Sequence, residues 1–94
     1  MTIYIIASAK SEKTLKRIEE NYKIKTTLDN KEVSRQSDFL ILAVKPHVYG
    51  EILNEIKNDI KVGSVIISIG AGISLEYMKK ALGENRLIVK AMPN

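Results

Sequence analysis

Short apolar runs rich in β-branched residues alternate with longer amphipathic stretches along the whole of this sequence, and that alternation leaves little freedom of fold. The runs fall at residues 3–7, 24–26, 39–44, 65–69 and 87–91. Parallel strands need a long crossover between them, and a helix is the usual one, so the pattern predicts βαβ units around a parallel sheet. Several of the runs are apolar without interruption, as expected when helices cover both faces of a sheet.

Helix signals fill the intervals. Ser11 is a good N-cap for a helix to about residue 21, with Leu15, Ile18 and Tyr22 on one face. Asp29 and Glu32 have capping-box spacing and open a short helix that ends near Ser37. Pro46 sits where a first helical turn tolerates proline, and Val48, Ile52, Ile56 and Ile60 then recur every four residues beside Leu53. Ser74 caps a last helix over residues 75–82, and Gly83 is a natural stop. With no internal repeat, low-complexity stretch or linker, residues 1–94 read as one domain. The sequence opens on a strand and stops at Met92, Pro93 and Asn94, which leads us to expect a piece cut from a larger domain. A domain of 94 residues hides only about 60 to 65% of its unfolded surface, so it would be marginal alone.

Composition narrows the function classes. The formal charge of +4 comes from scattered lysines that alternate with acids, as in Glu12, Lys13, Lys16, Arg17, Glu19 and Glu20, the pattern of a solvated helix face. The four tyrosines and one phenylalanine do not sit in a basic stripe, so nucleic acid is not the expected partner. Cysteine is absent, which excludes disulfides and thiolate metal sites, and the single histidine, His47, builds no metal site by itself. The longest apolar runs are far shorter than the roughly 20 residues of a membrane span. Met1 leads straight into a strand-like run without a basic leader, so no secretion signal is expected and a cytoplasmic location fits.

In doubly wound sheets ligands bind beyond the carboxyl ends of the strands, so the residues just after each run carry the functional information. After the first run stand Ser8, Lys10 and Ser11, two hydroxyls and a cation around a helix start, a set suited to a phosphate monoester. Sites for NAD usually end this strand in an acid that holds the ribose 2′-hydroxyl, and no acid precedes Glu12, which favours NADP. A capping role for Ser11 and a solvated Lys10 explain the same residues without a ligand. After the third run, Ala43, Val44, Lys45 and Pro46 form a turn with free backbone groups, although Lys45 is also explained as a surface charge. Ser68, Ile69, Gly70, Ala71 and Gly72 form a small-residue turn that permits close backbone approach. Asn94 offers donors and an acceptor. No carboxylate pair, Ser-His-Asp set or metal cluster has useful spacing, so the residues outline a binding surface without catalytic groups.

Taken together, four segments make the sequence resemble the pyrroline-5-carboxylate reductases over nearly its whole length. They are Asp29-Asn30-Lys31-Glu32-Val33, the run from Asp38 into Lys45-Pro46-His47, Ser68-Ile69-Gly70-Ala71-Gly72-Ile73-Ser74, and Met92-Pro93-Asn94. The resemblance implies an α/β, Rossmann-like, mostly parallel sheet with flanking helices, belonging to a cytoplasmic enzyme of proline biosynthesis. Such an enzyme reduces the cyclic imine 1-pyrroline-5-carboxylate to L-proline with NADPH, or NADH, and its full-length form is a homo-oligomer. The resemblance further implies that Ser8 and Lys10 face the adenosine 2′-phosphate and that Asn30 meets the adenosine half. By the same comparison Ala43, Val44, Lys45 and Pro46 line the ribose and nicotinamide path, with Ile69, Gly70, Ala71 and Asn94 towards the nicotinamide. The family's first strand and glycine-rich turn, which hold the pyrophosphate, have no counterpart in this sequence, nor has its helical second domain. Residues 3–7 therefore correspond to the family's second strand, and this chain is expected to be inactive alone. The alternatives are the cofactor domain of a β-hydroxyacid or prephenate type dehydrogenase, and a non-catalytic interaction module that pairs through an open strand edge.

Overall fold

A computed structural model describes residues 5–9 and 11–91. Its elements run β1 (Ile6–Ser8), α1 (Glu12–Tyr22), β2 (Lys25–Thr27), α2 (Asn30–Gln36), β3 (Phe39–Leu42), a 3-10 turn (Pro46–Val48), α3 (Tyr49–Ile56), β4 (Val65–Ser68), α4 (Leu75–Leu82) and β5 (Leu87–Lys90). The alternation expected from the apolar runs is present, with each strand a little shorter than its run. The first part of run 3–7 lies outside the described residues.

All strand pairings are parallel. β1 pairs with β2, Ile6 opposite Lys25 and Ser8 opposite Thr27. In the second sheet β4 lies between β3 and β5, so that Leu42, Ser68 and Lys90 end the three strands in one row. α2 packs on β1, β2 and α3, and carries the chain from the end of β2 back to the start of β3. Both sheets therefore run the same way. Where one sheet was expected there are two, because β1 and β3 each keep one edge that pairs with no described strand.

The caps explain the helix boundaries. The hydroxyl of Ser11 accepts the Thr14 amide, and that of Ser74 accepts the Tyr77 amide. α1 closes on Lys23 in the left-handed conformation, with φ 52°. At α2 the expected capping box is incomplete. Asp29 accepts the Lys31 amide at 2.9 Å, but its own backbone N–H goes to the Thr27 hydroxyl rather than back to Glu32. α3 is shorter than its periodicity suggested: the Asp59 amide turns to the Ile56 carbonyl at 2.8 Å, and Ile60 reaches the core from a turn. Tyr22, expected on the inner face of α1, is exposed, whereas Leu15 is buried.

One hydrophobic core sits between α3, α4 and one face of the β3–β4–β5 sheet, built from Leu40, Leu42, Tyr49, Ile52, Leu53, Ile56, Ile60, Ile66, Met78 and Leu82. The opposite face departs from the expectation of burial on both sides. Phe39 is 67% exposed, Ile41 61%, Leu87 58% and Val89 49%, because no described element covers them. No described helix is long and apolar enough to cross a membrane.

Candidate functional site

Parallel pairing brings the ends of the strands, and the turns that follow them, to the ligand-binding edge expected of such sheets. At the end of β1, the Ser8 hydroxyl donates to Asn30 Oδ1 at 2.6 Å. Asn30 opens α2, and its Nδ2 donates onward to Glu55 Oε1 on α3 at 2.9 Å. A residue after the first strand and one after the second, 22 positions apart, thus form one polar cluster. Ser11 follows directly at the head of α1, where it caps Thr14. Lys10 lies outside the described residues.

The turn after β3 is built differently. Ala43, Lys45 and Pro46 are exposed, whereas Val44 is half-buried and packs against the core. Lys45 is extended at φ −66°, ψ 146°, and Pro46 starts the 3-10 turn, which its ring preorganises. The Val44 side chain consequently faces the core. Past β4, Ile69 and Ala71 are exposed, and Gly70 is buried. A Cβ on Gly70 would lie 2.6 Å from the Tyr49 ring, so only glycine lets this turn pass over that ring. Asn94 lies outside the described residues.

Tyr49 was not marked by the sequence, yet it organises this edge. It is 1% exposed. Its hydroxyl donates to the Leu42 carbonyl at 2.9 Å, which leaves the Ser68 hydroxyl as donor in their 3.0 Å contact. The ends of β3 and β4 are therefore tied through one phenol beneath the two turns. The signal was present in Tyr49 standing three residues before Ile52 and four before Leu53, but a helix stripe predicts burial without a hydroxyl partner. Glu55 was missed for the opposite reason, since an acid on a solvated helix face carries no mark in the sequence.

The edge offers hydroxyls, an amide, free backbone groups and a helix start, which suit a sugar and phosphate rather than a metal. Among the described residues no group of three His, Cys, Asp or Glu side chains converges to hold a metal ion. Shallow hollows of about 550 and 580 Å³ lie along α4 and at the amino ends of β4 and β5, away from the candidate residues.

Comparison with known proteins follows the same line. Residues 2–72 match the model of the family described as NADP oxidoreductase, coenzyme F420-dependent. The pyrroline-5-carboxylate reductase of Methanosarcina acetivorans is 40% identical over 88 residues, 94% of this chain and 33% of that protein. In structure, the pyrroline-5-carboxylate reductase of Coxiella burnetii superposes with a TM-score of 0.89 at 32% identity, over 96% of this chain and 34% of its own. The Plasmodium falciparum pyrroline carboxylate reductase, solved with NADP bound, gives 0.78 at 29% identity, over 95% and 31%. The chain thus spans about a third of the length of the relatives it matches.

Proposed function

Because the chain belongs to the NADP oxidoreductase, coenzyme F420-dependent family, we propose that it forms the adenosine-side part of the cofactor domain of an NADPH-dependent pyrroline-5-carboxylate reductase. The observation that carries the reading is the Ser8–Asn30 pair at the end of β1, placed beside the start of α1, in a chain similar over nearly its whole length to such reductases.

In this reading Ser8 and Lys10 face the adenosine 2′-phosphate, helped by the free backbone N–H groups at the head of α1. Asn30 holds the adenosine ribose. Ala43, Lys45, Pro46 and the backbone of Val44 border the path to the nicotinamide, and Ile69, Ala71, Asn94 and the backbone of Gly70 lie towards its ring. The cofactor, when bound, supplies the hydride that reduces the cyclic imine. In this reading the residues of this chain bind and orient it. The hydride goes to the imine carbon of the substrate, and in this reading the groups that hold the imine are supplied by parts of the enzyme other than these 94 residues.

The test is an assay of the full-length reductase that carries these residues, offering 1-pyrroline-5-carboxylate, prephenate and 3-hydroxy acids with both nicotinamide cofactors. Turnover confined to the cyclic imine, faster with NADPH, is the expected result. Activity on prephenate or a 3-hydroxy acid instead overturns the assignment. The 94-residue chain by itself should show no turnover and bind NADPH weakly, since it has no glycine-rich cradle for the pyrophosphate. Submicromolar binding would sink that expectation.

A further inference from the structure

Glu55 stands on α3, an element given no part in cofactor contact, yet its carboxylate takes the Asn30 Nδ2 hydrogen bond at 2.9 Å. A carboxylate only accepts, so the amide nitrogen of Asn30 must face it and the amide oxygen is turned towards the end of β1. There the oxygen receives the Ser8 hydroxyl at 2.6 Å. The direction of the whole chain of bonds is thereby set. Ser8 donates to Asn30 and Asn30 donates to Glu55, so Ser8 has only lone pairs left for a ligand, while Asn30 keeps its second amide N–H.

We propose that Glu55 is a positioning residue of the cofactor site, one that turns the Asn30 oxygen to Ser8, leaves the serine hydroxyl facing a ligand as an acceptor, and so sets the balance between a 2′-hydroxyl and a 2′-phosphate on the adenosine ribose. The inference rests on the adenosine reading given above. A ribose hydroxyl has a proton to give and meets acceptors that are already oriented. A 2′-phosphate has none to give, and to engage Ser8 it must draw the hydroxyl proton away from Asn30. The start of α1 attracts the phosphate, and Glu55 works against that attraction through Asn30. In a Glu55→Gln variant the facing amide can serve Asn30 in either orientation. Asn30 is then able to turn its nitrogen to Ser8, which frees the hydroxyl to donate outward.

The experiment titrates the full chain with adenosine 2′,5′-bisphosphate and with 5′-AMP, two probes that differ only by the 2′-phosphate, and follows the side-chain amide signals of Asn30 by NMR. Glu55→Gln should raise the affinity ratio of bisphosphate to monophosphate about fivefold, the effect of one hydrogen bond gained. Glu55→Asp, which keeps an acceptor, should stay near the parent ratio. Glu51→Gln removes the same charge from an exposed position on the same helix without touching Asn30, so it separates orientation from simple electrostatics. Equal ratios in Glu55→Gln and Glu51→Gln overturn the proposal, as do Asn30 amide signals that do not move in Glu55→Gln. Binding of neither nucleotide to any variant overturns instead the adenosine reading, and with it the consequence drawn for the ribose.

Discussion

At the scale of single residues, the edge depends on Gly70 passing over the ring of Tyr49. The ring is held on both sides of its hydroxyl, by the Leu42 carbonyl and by Ser68, and cannot swing away from an added methyl group. Gly70→Ala should therefore cost about 1 to 3 kcal/mol through overpacking, read as a lower urea midpoint at unchanged slope. Tyr49→Phe keeps the ring but leaves the buried Ser68 hydroxyl without its acceptor, and should cost about 1 to 3 kcal/mol in the same assay. A loss well below that range for both would mean that the two turns are not braced from below. The turn at residues 68–72 was legible in the sequence as small residues after a strand. Its cause was not, because the contact joins positions 49 and 70, and spacing along a chain does not report a ring packed against a distant backbone.

At the scale of elements, helix starts were the most legible feature and helix ends the least. Starts are governed by one hydroxyl or carboxylate and the amide two or three residues on, which is local information. Ser74→Ala should cost about 1 kcal/mol, since the Tyr77 amide loses its acceptor at the head of a helix that carries Met78 and Leu82 into the core. The cap of α2 separates sequence from structure more sharply. A capping box requires both Asp29 and Glu32, whereas here Thr27 has taken over the reciprocal bond. Asp29→Ala should lower the thermal midpoint clearly and Glu32→Ala only slightly, measured side by side by calorimetry. Equal losses would restore the box. The end of α3 was misjudged because Ile60 keeps the four-residue period yet reaches the core from a turn, and periodicity does not distinguish the two.

At the scale of the molecule, α2 bridges two parallel sheets, while β1 and β3 each keep an edge that pairs with no described strand, and Phe39, Ile41, Leu87 and Val89 are exposed. The sequence did not make this split visible, since apolar runs reveal strands but not which strand lies beside which. An open edge and an open apolar face are both unfavourable, and one unit relieves both: a strand set between β1 and β3, followed by a helix laid over the bare face. The six strands would then stand in the order of a doubly wound dinucleotide fold, with the added turn delivering a helix start to the pyrophosphate. We therefore expect that fusing a strand, glycine-rich turn and helix ahead of residue 1 raises the urea midpoint. It should tighten NADPH binding about 100-fold, near 2.7 kcal/mol. Hydrogen exchange locates the effect, because backbone amides of β1 and β3 that face the open edges should become protected, while those between β4 and β5, already paired, change little. If the fused chain is more stable but the β1 and β3 amides exchange as before, the added unit has docked elsewhere. In that case the two sheets are not halves of one, and the binding edge must be complete without a strand between them.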